Sequence, residues 1–91
     1  MITEKTLEIF CKKETTRRGG KALKWSSPSQ RGVPDRIIIL PGGKIGFIEL
    51  KGTGKKPTKL QAYYIKYLMD SGCKATFCDS KQSVIAFLDT L

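Results

Sequence analysis

The sequence has 91 residues, which suffice for one hydrophobic core but not for two, so we expect a single domain over residues 1–91. Seventeen Lys and Arg against eight Asp and Glu give a formal net charge of +9, an excess that favours an acidic partner such as nucleic acid. The absence of histidine excludes Ser-His-Asp and Cys-His triads, His-based zinc sites and His-dependent nucleases.

Hydropathy and cysteine spacing bear on the compartment in which the chain works. No apolar run approaches the roughly 18 residues that cross a bilayer, so we expect no membrane partner. The first residues lack an apolar signal stretch, and the three cysteines are an odd set without CxxC spacing. These features lead us to expect a reducing cytoplasm.

The N-terminal third is predicted to form a helix and a short strand. Leu7, Phe10 and Cys11 share one stripe at helical spacing within residues 3–18, and Gly19-Gly20 would end that helix. A strand over residues 22–25 follows, and then a polar loop without periodicity.

The middle of the chain predicts a β-hairpin. Within residues 35–40, the last four are apolar at successive positions and three of them are isoleucine, which is typical of a strand covered on both faces. Pro41-Gly42-Gly43 provides a turn, and residues 44–51 return as the second strand.

The C-terminal third predicts a helix, a strand and a last helix. Thr58 and Gln61 have the spacing of a capping box at the start of a helix that runs to residue 71. Its buried stripe would be Leu60, Tyr64, Tyr67 and Leu68. A strand over residues 75–78 precedes a helix capped by Asp79 or Ser80, with Val84, Leu88 and Leu91 facing inward. The order αβββαβα predicts a mixed α/β fold, a central mixed sheet flanked by helices.

The turn length decides which hairpin residues face one another. A three-residue turn sets Asp35 opposite Glu49, with Cβ atoms roughly 5 Å apart, and places Lys51 on the same face. The two carboxylates would repel each other unless a cation lay between them, and Mg²⁺ prefers such oxygen ligands. With a nearby ammonium group, this set has the parts that phosphodiester hydrolysis needs. A two-residue turn would instead set Arg36 against Glu49. Taken alone, Glu-x-Lys on a strand is more often a surface ion pair.

These motifs resemble a known nuclease family. Gly32-Val33-Pro34-Asp35, followed after thirteen residues by Glu49-Leu50-Lys51, is similar to the core of the PD-(D/E)xK nucleases. The shorter motifs that resemble the VRR-NUC (virus-type replication-repair nuclease) domain are Gly19-Gly20, Ala22-Leu23-Lys24, Ser27-Pro28, Arg31 to Asp35, Pro41-Gly42-Gly43 and Gln61. The resemblance covers nearly the whole chain and implies a restriction-endonuclease-like core.

The resemblance implies roles for individual residues. Asp35, Glu49 and the backbone carbonyl of Leu50 would ligate Mg²⁺, for which Mn²⁺ would substitute, and Lys51 would be the catalytic lysine. A glutamate of the first helix would lie near the metal, and its spacing points to Glu8, with Glu4 as the rival. Glu8 has an alternative role in an i,i+4 pair with Lys12 on a solvated face. Gln61 would lie near the active site, although the capping box alone explains it.

The basic residues and the family suggest the substrate. The candidates for DNA contact are Lys24, Arg31, Lys55, Lys56 and Lys59, the last three in or beside a flexible loop after Lys51. Trp25 and the tyrosines at 63, 64 and 67 offer rings for base stacking, although tyrosine at helical spacing is more often part of a core.

The resemblance implies a structure-selective endonuclease that acts in DNA repair on branched DNA such as Holliday junctions, in the cytoplasm of a bacterial or phage-infected cell. It also implies a homodimer, whose interface we expect on the second helix around Tyr63 and Ile65. The alternatives are a non-catalytic basic module that binds DNA or RNA and, less well supported, a restriction endonuclease subunit.

Overall fold

The computed structural model describes all residues from Met1 to Leu91. The elements are α1 (Glu4–Arg17), β1 (Lys21–Lys24), β2 (Arg36–Leu40), β3 (Lys44–Leu50), α2 (Lys59–Asp70), β4 (Lys74–Cys78) and α3 (Lys81–Asp89). The predicted order αβββαβα is confirmed, with element ends displaced by one or two residues. None of the three helices is both long and apolar enough to span a membrane.

The four strands form one mixed sheet in the order β1-β2-β3-β4. β2 pairs antiparallel with both β1 and β3, whereas β4 pairs in parallel with β3. Leu40 pairs with Lys44, and Ile37 pairs with Phe47. Three residues therefore lie in the hairpin turn, and the register that places Asp35 and Glu49 at the same end of the hairpin is confirmed.

The two positions after α1 require glycine for different steric reasons. Gly19 has φ +84°, which favours glycine, and its N–H donates to the carbonyl of Thr16 while that of Gly20 donates to Thr15, closing the helix end. A Cβ on Gly20 would lie 2.2 Å from the carbonyl oxygen of Ile39. The pair thus ends α1 and lets the chain enter β1 closely packed against β2.

One face of the sheet carries the hydrophobic core, and α1 and α3 cover it. Leu7 and Cys11 from α1 and Val84 and Leu88 from α3 pack against the strands. The strand residues of this core are Ile38, Leu40, Ile48, Leu50 and Cys78. Ser80 is the N-cap of α3, which decides between the two predicted caps, and Leu91 packs partly buried against the core as expected.

Two of the three cysteines lie inside this core. Cys11 and Cys78 are buried, whereas Cys73 is partly exposed. Burial raises the pKa of the Cys11 thiol and raises that of Cys78 to about 11. Both buried thiols are therefore protonated at neutral pH, and all three cysteines are free.

The opposite face of the sheet is only partly covered, because α2 packs against β4 and leaves the β1 and β2 side open. Ile39 is 40% exposed, and Leu23 and Ile45, which share its face, are 44% and 49% exposed. The prediction that β2 is covered on both faces is therefore wrong. The run of isoleucines does not reveal that a 12-residue helix at one edge covers only part of the sheet.

The predicted buried stripe of α2 is also partly wrong. Leu68 is buried and Tyr64 is half-buried, but Leu60 and Tyr67 are 45% and 57% exposed. Because α2 contacts the sheet mainly at β4, its apolar stripe is wider than the surface that it packs against. The capping box of Thr58 and Gln61 is present as predicted.

Candidate active site

Asp35 lies directly before β2 and is fixed by two hydrogen bonds. The backbone N–H of Trp25 donates to its carbonyl oxygen at 2.8 Å, which continues the pairing of β1 with β2. The backbone N–H of Leu50 donates to its carboxylate oxygen Oδ2 at 3.0 Å. The side chain is thereby attached to the end of β3, and its other oxygen, Oδ1, remains for a further partner.

Glu49 lies near the end of β3, and Lys51 directly follows the strand. Glu49 is 2% exposed, and Nζ of Lys51 lies 3.5 Å from its Oε2 atom. The N–H of Lys51 donates to the carbonyl of Cys78 at 2.9 Å, which extends the parallel ladder past the last strand residue. The other carboxylate oxygen of Glu49, Oε1, is buried without a hydrogen-bond partner.

The burial of Glu49 disfavours its charged form. Desolvation is the largest cause that raises its pKa, to about 7, and the negative charge of Asp35 raises it further. The ammonium of Lys51 acts in the opposite direction and offsets only part of the shift. The two carboxylates are therefore close enough to repel each other, as the hairpin register leads one to expect.

These residues fit a divalent cation. A buried carboxylate oxygen without a partner, next to a second carboxylate, is satisfied when a cation replaces the missing hydrogen bond and neutralises the repulsion. Asp35, Glu49 and the carbonyl of Leu50 would supply three oxygens, and Mg²⁺ is commonly bound by one or two carboxylates with water and substrate phosphate completing its shell. No larger cluster of His, Cys, Asp or Glu that could hold a metal is present.

Glu8 is not brought into this group. Its carboxylate lies 3.7 Å from the guanidinium of Arg36, a residue that is only 12% exposed in its side chain. Arg36 alternates with Asp35 along the chain and pairs with Ile48 on the core side of the sheet, facing α1. Glu8 therefore interacts with the strand next to the site, not with Lys12 on a solvated face. Its rival Glu4 is an exposed residue at the first turn of α1.

Gln61 is engaged in the helix cap. Its side-chain Oε1 accepts from the N–H of Thr58 at 2.9 Å, and its own N–H donates to the Thr58 hydroxyl at 3.2 Å. These bonds hold the start of α2 and occupy the amide oxygen. A role near the active site stays a prediction for this residue.

The five basic residues predicted to contact DNA are exposed. Lys55 and Lys56 lie in the loop after Lys51, and Lys59 is the first residue of α2. Lys24 ends β1, and Arg31 lies in the turn that precedes Asp35. All five are thus close in sequence to a catalytic candidate or to an element that carries one.

The loop that carries Lys55 and Lys56 is attached to the rest of the molecule by hydrogen bonds at two of its residues, Thr53 and Gly54. The N–H of Thr53 donates to the carbonyl of Ile2 at 3.0 Å, and the N–H of Ile2 donates to the Thr53 hydroxyl at 2.8 Å. The N–H of Gly54 donates to the Asp79 carboxylate at 3.2 Å. The interpretation of this segment as a freely flexible loop is therefore wrong for its first half. Sequence reasoning missed Asp79 as an anchor, because the contact spans 25 residues and has no local signal.

Comparisons with known proteins extend over nearly the whole chain. A protein of Acyrthosiphon pisum secondary endosymbiont phage 1, named "Putative nuclease p44", is 41% identical over 81 residues, which are 89% of this chain and 87% of the phage protein. A solved structure described as "VRR_NUC domain" has a TM-score of 0.88 and 26% identity, and covers 98% of this chain and 97% of its own. No family model matches the sequence. The similarities therefore concern the entire fold and not an isolated motif.

Proposed function

The chain belongs to the VRR-NUC family of nucleases, and from that premise we propose that it is a Mg²⁺-dependent DNA endonuclease selective for branched DNA. The observation that carries the metal dependence is the buried, unpartnered oxygen of Glu49 beside Asp35 and Lys51. A module that only binds nucleic acid gains nothing from two repelling carboxylates in a basic surface. The alternative of a non-catalytic DNA- or RNA-binding module is therefore less well supported.

In this proposal each residue at the end of the hairpin has a separate task. Asp35, held by the Leu50 N–H, and Glu49, held within β3, present their carboxylates as metal ligands with the Leu50 carbonyl. When bound, the cation lowers the pKa of a water molecule and neutralises charge on the phosphate. Lys51, whose side chain is 15% exposed, would orient the attacking water or stabilise the negative charge that develops on the phosphate oxygens.

The basic residues around the site would bind the DNA backbone. Lys55, Lys56 and Lys59 follow Lys51, and Lys24 and Arg31 lie on the segments before Asp35. Cations in these positions contact phosphates without reading bases, so DNA shape would decide which strand reaches the carboxylates.

We further propose that the active species is a two-fold homodimer that cuts four-way junctions, with a role in DNA repair. The exposed apolar side chains of Leu23, Ile39 and Ile45 supply a surface that a second copy would cover. Two copies of the site at a fixed separation would cut two related strands as a pair. The phage relative supports action in the cytoplasm of a bacterial or phage-infected cell.

The proposal is tested with labelled linear duplex, flap and four-way junction DNA, each incubated with Mg²⁺, Mn²⁺ or EDTA. We expect paired cuts in the junction with either metal, slower cutting of the linear duplex and no product in EDTA. Cleavage that persists in EDTA would contradict the metal mechanism. Equal rates on all three substrates would contradict the selectivity for branches and leave the metal mechanism intact.

A further inference from the structure

An aromatic cavity lies between α2 and the connection from β1 to β2. Its volume is about 370 Å³, within the range of sites for small organic ligands. The residues that line it and matter here are Trp25, Val33, Tyr64 and Tyr67, with Ser27 and Gln30 as its polar members. No charged side chain lines this cavity, which sets it apart from the carboxylate site.

Two links place the cavity beside the carboxylates. The backbone of Trp25 is hydrogen-bonded to that of Asp35, and Val33 precedes Asp35 by only two residues. Two residues of extended chain span at most about 7 Å. A DNA strand advances about 3.4 Å per nucleotide along the helix axis, so this span corresponds to roughly two nucleotides.

The chemistry of the lining suits a nucleobase. Aromatic rings stack on the face of any base, and the ring of Trp25 is held with its centroid 5.5 Å from that of Phe47 in β3. The side-chain oxygen of Gln30 accepts from the Tyr64 hydroxyl, which leaves the amide N–H groups of Gln30 as donors for a base edge. The Ser27 hydroxyl adds a group that both donates and accepts.

Positive charge near the cavity distinguishes a nucleotide in a strand from an uncharged aromatic ligand. Arg31 directly follows Gln30, and its side chain is exposed. It would meet a phosphate next to a base that has left the stack, whereas an uncharged aromatic molecule would not use it.

We propose that this cavity binds one unpaired, unstacked base of the DNA strand, within about two nucleotides of the phosphate that is cut. The inference rests on the proposed function, because only then does a strand cross the carboxylate site. Unpaired nucleotides at the centre of a branch would be recognised through the base itself, in addition to the path of the backbone. Fully paired DNA would have to lose a base pair first, at a cost of a few kcal/mol.

The single tryptophan makes the cavity observable without cleavage. In EDTA, the fluorescence of Trp25 is titrated with a single-stranded oligothymidine and with an oligonucleotide of equal length in which every nucleotide is abasic. The two carry the same phosphates and differ only in bases. We expect saturable quenching by oligothymidine and about 5- to 100-fold weaker binding of the abasic strand. Equal quenching and equal affinity would overturn the proposal, as would equally strong quenching by free thymidine monophosphate.

Three variants on α2 distinguish base binding in the cavity from general effects of substitution on DNA affinity. Tyr67→Ala removes an exposed ring that lines the cavity, Tyr67→Phe keeps the ring, and Met69→Ala removes an equally exposed apolar side chain of α2 that does not line it. We expect Tyr67→Ala to weaken oligothymidine binding about 5- to 100-fold, and the other two variants to bind within about twofold of the native chain. A loss that is the same for the abasic strand, or the same in Met69→Ala, would overturn the assignment.

Junction cleavage in Mg²⁺ is measured separately on the same preparations. If the protein cuts junctions but binds oligothymidine and the abasic strand equally well, only the base-binding proposal is refuted. If it binds oligothymidine more tightly but cuts nothing with metal, only the proposed nuclease mechanism is refuted. The two failures are therefore recognised by different readouts.

Discussion

At the scale of single residues, Glu49 is held where its negative charge is unfavourable. Burial and the neighbouring Asp35 both raise its pKa, and the Lys51 ammonium only partly offsets them. A carboxylate in this position stabilises the fold poorly by itself, but it gains more than an exposed carboxylate when a cation arrives. In the proposed function, this local cost would be offset when a cation binds.

We expect Asp35→Asn and Glu49→Gln each to lower the rate of junction cleavage by at least about 100-fold. Metal coordination typically stabilises such a transition state by several kcal/mol, and each substitution removes a proposed ligand. DNA affinity in EDTA should stay the same or rise slightly, since each change removes a negative charge that faces phosphate. Cleavage is followed on labelled junctions, and binding by fluorescence anisotropy. Retained activity in either variant, or loss of folding in both as judged by circular dichroism, would count against the metal site.

The raised pKa of Glu49 predicts a pH-dependent stability in metal-free protein. The unfolded chain releases this proton near the ordinary value of 4.5, whereas the folded chain holds it until about 7. Between these values the native state binds more protons, so the contribution of Glu49 to the free energy of unfolding falls as pH rises. We expect a loss of roughly 3 kcal/mol across this window and a plateau above it. Urea denaturation in EDTA at several pH values measures this change in the free energy of unfolding.

Two comparisons isolate this effect. Glu49→Gln should remove the fall, whereas Glu4→Gln, at an exposed position on α1, should leave it in place. Adding Mg²⁺ above pH 7 should raise the Tm of the native chain and not that of Glu49→Gln. A native chain whose stability does not change between pH 5 and 7 would show that Glu49 is solvated in solution.

At the scale of elements, the hairpin is the part that the sequence predicts best. Turn residues and strand periodicity are local signals, so they limit the register to that of a two-residue or a three-residue turn, and the structure has the three-residue turn. That register brings Asp35 and Glu49 to one end without knowledge of any other element. The capping box at Thr58 and Gln61 is predictable for the same reason.

Other features depend on where distant elements lie, and no local pattern contains that information. The exposure of Ile39 follows from the position of α2 over β4, and the pairing of Glu8 with Arg36 follows from the packing of α1 on the sheet. The attachment of the basic loop to Asp79 likewise joins two segments that are 25 residues apart. The family resemblance therefore points to Glu8 as a metal-site candidate, but no local pattern indicates its ion pair with Arg36.

The basic loop gives a prediction at the element scale. Replacing Lys55, Lys56 and Lys59 with Ala should flatten the log-log salt dependence of DNA binding, by about 0.9 for each phosphate that is no longer neutralised. The matched control replaces three exposed lysines of α1, at positions 5, 12 and 13, and removes the same total charge. Anisotropy titrations at several salt concentrations measure both slopes. Equal slopes in the two triple variants would show that the loop has no special place on the DNA.

At the scale of the whole molecule, two exposed apolar surfaces are candidates for the interface of the proposed homodimer. One is the uncovered sheet face with Leu23, Ile39 and Ile45, and the other is the outer side of α2 around Tyr63. Ile65, the other expected interface residue, is only partly exposed. The sheet face has three apolar neighbours on adjacent strands, which makes it the stronger candidate.

We expect a symmetric homodimer that Ile45→Glu dissociates, because the substitution would bury a charge without a partner. Tyr63→Glu, on α2, should leave the dimer intact. Sedimentation velocity across micromolar concentrations, with and without junction DNA, measures the mass. The opposite ranking of the two variants would place the interface on α2, and a native monomer that still makes paired cuts would refute the dimer.

Because the three cysteines differ in burial, their reactivity shows when the hydrophobic core opens. Only Cys73 is accessible, while Cys11 and Cys78 are buried as protonated thiols in the core between the sheet and two helices. A maleimide should therefore modify one site within seconds and the other two only when the core opens. Mass spectrometry of timed samples would count one label, then three, and the delay would measure the free energy of that opening. Cys73, directly before β4, would in turn accept a single spectroscopic label without any engineered substitution.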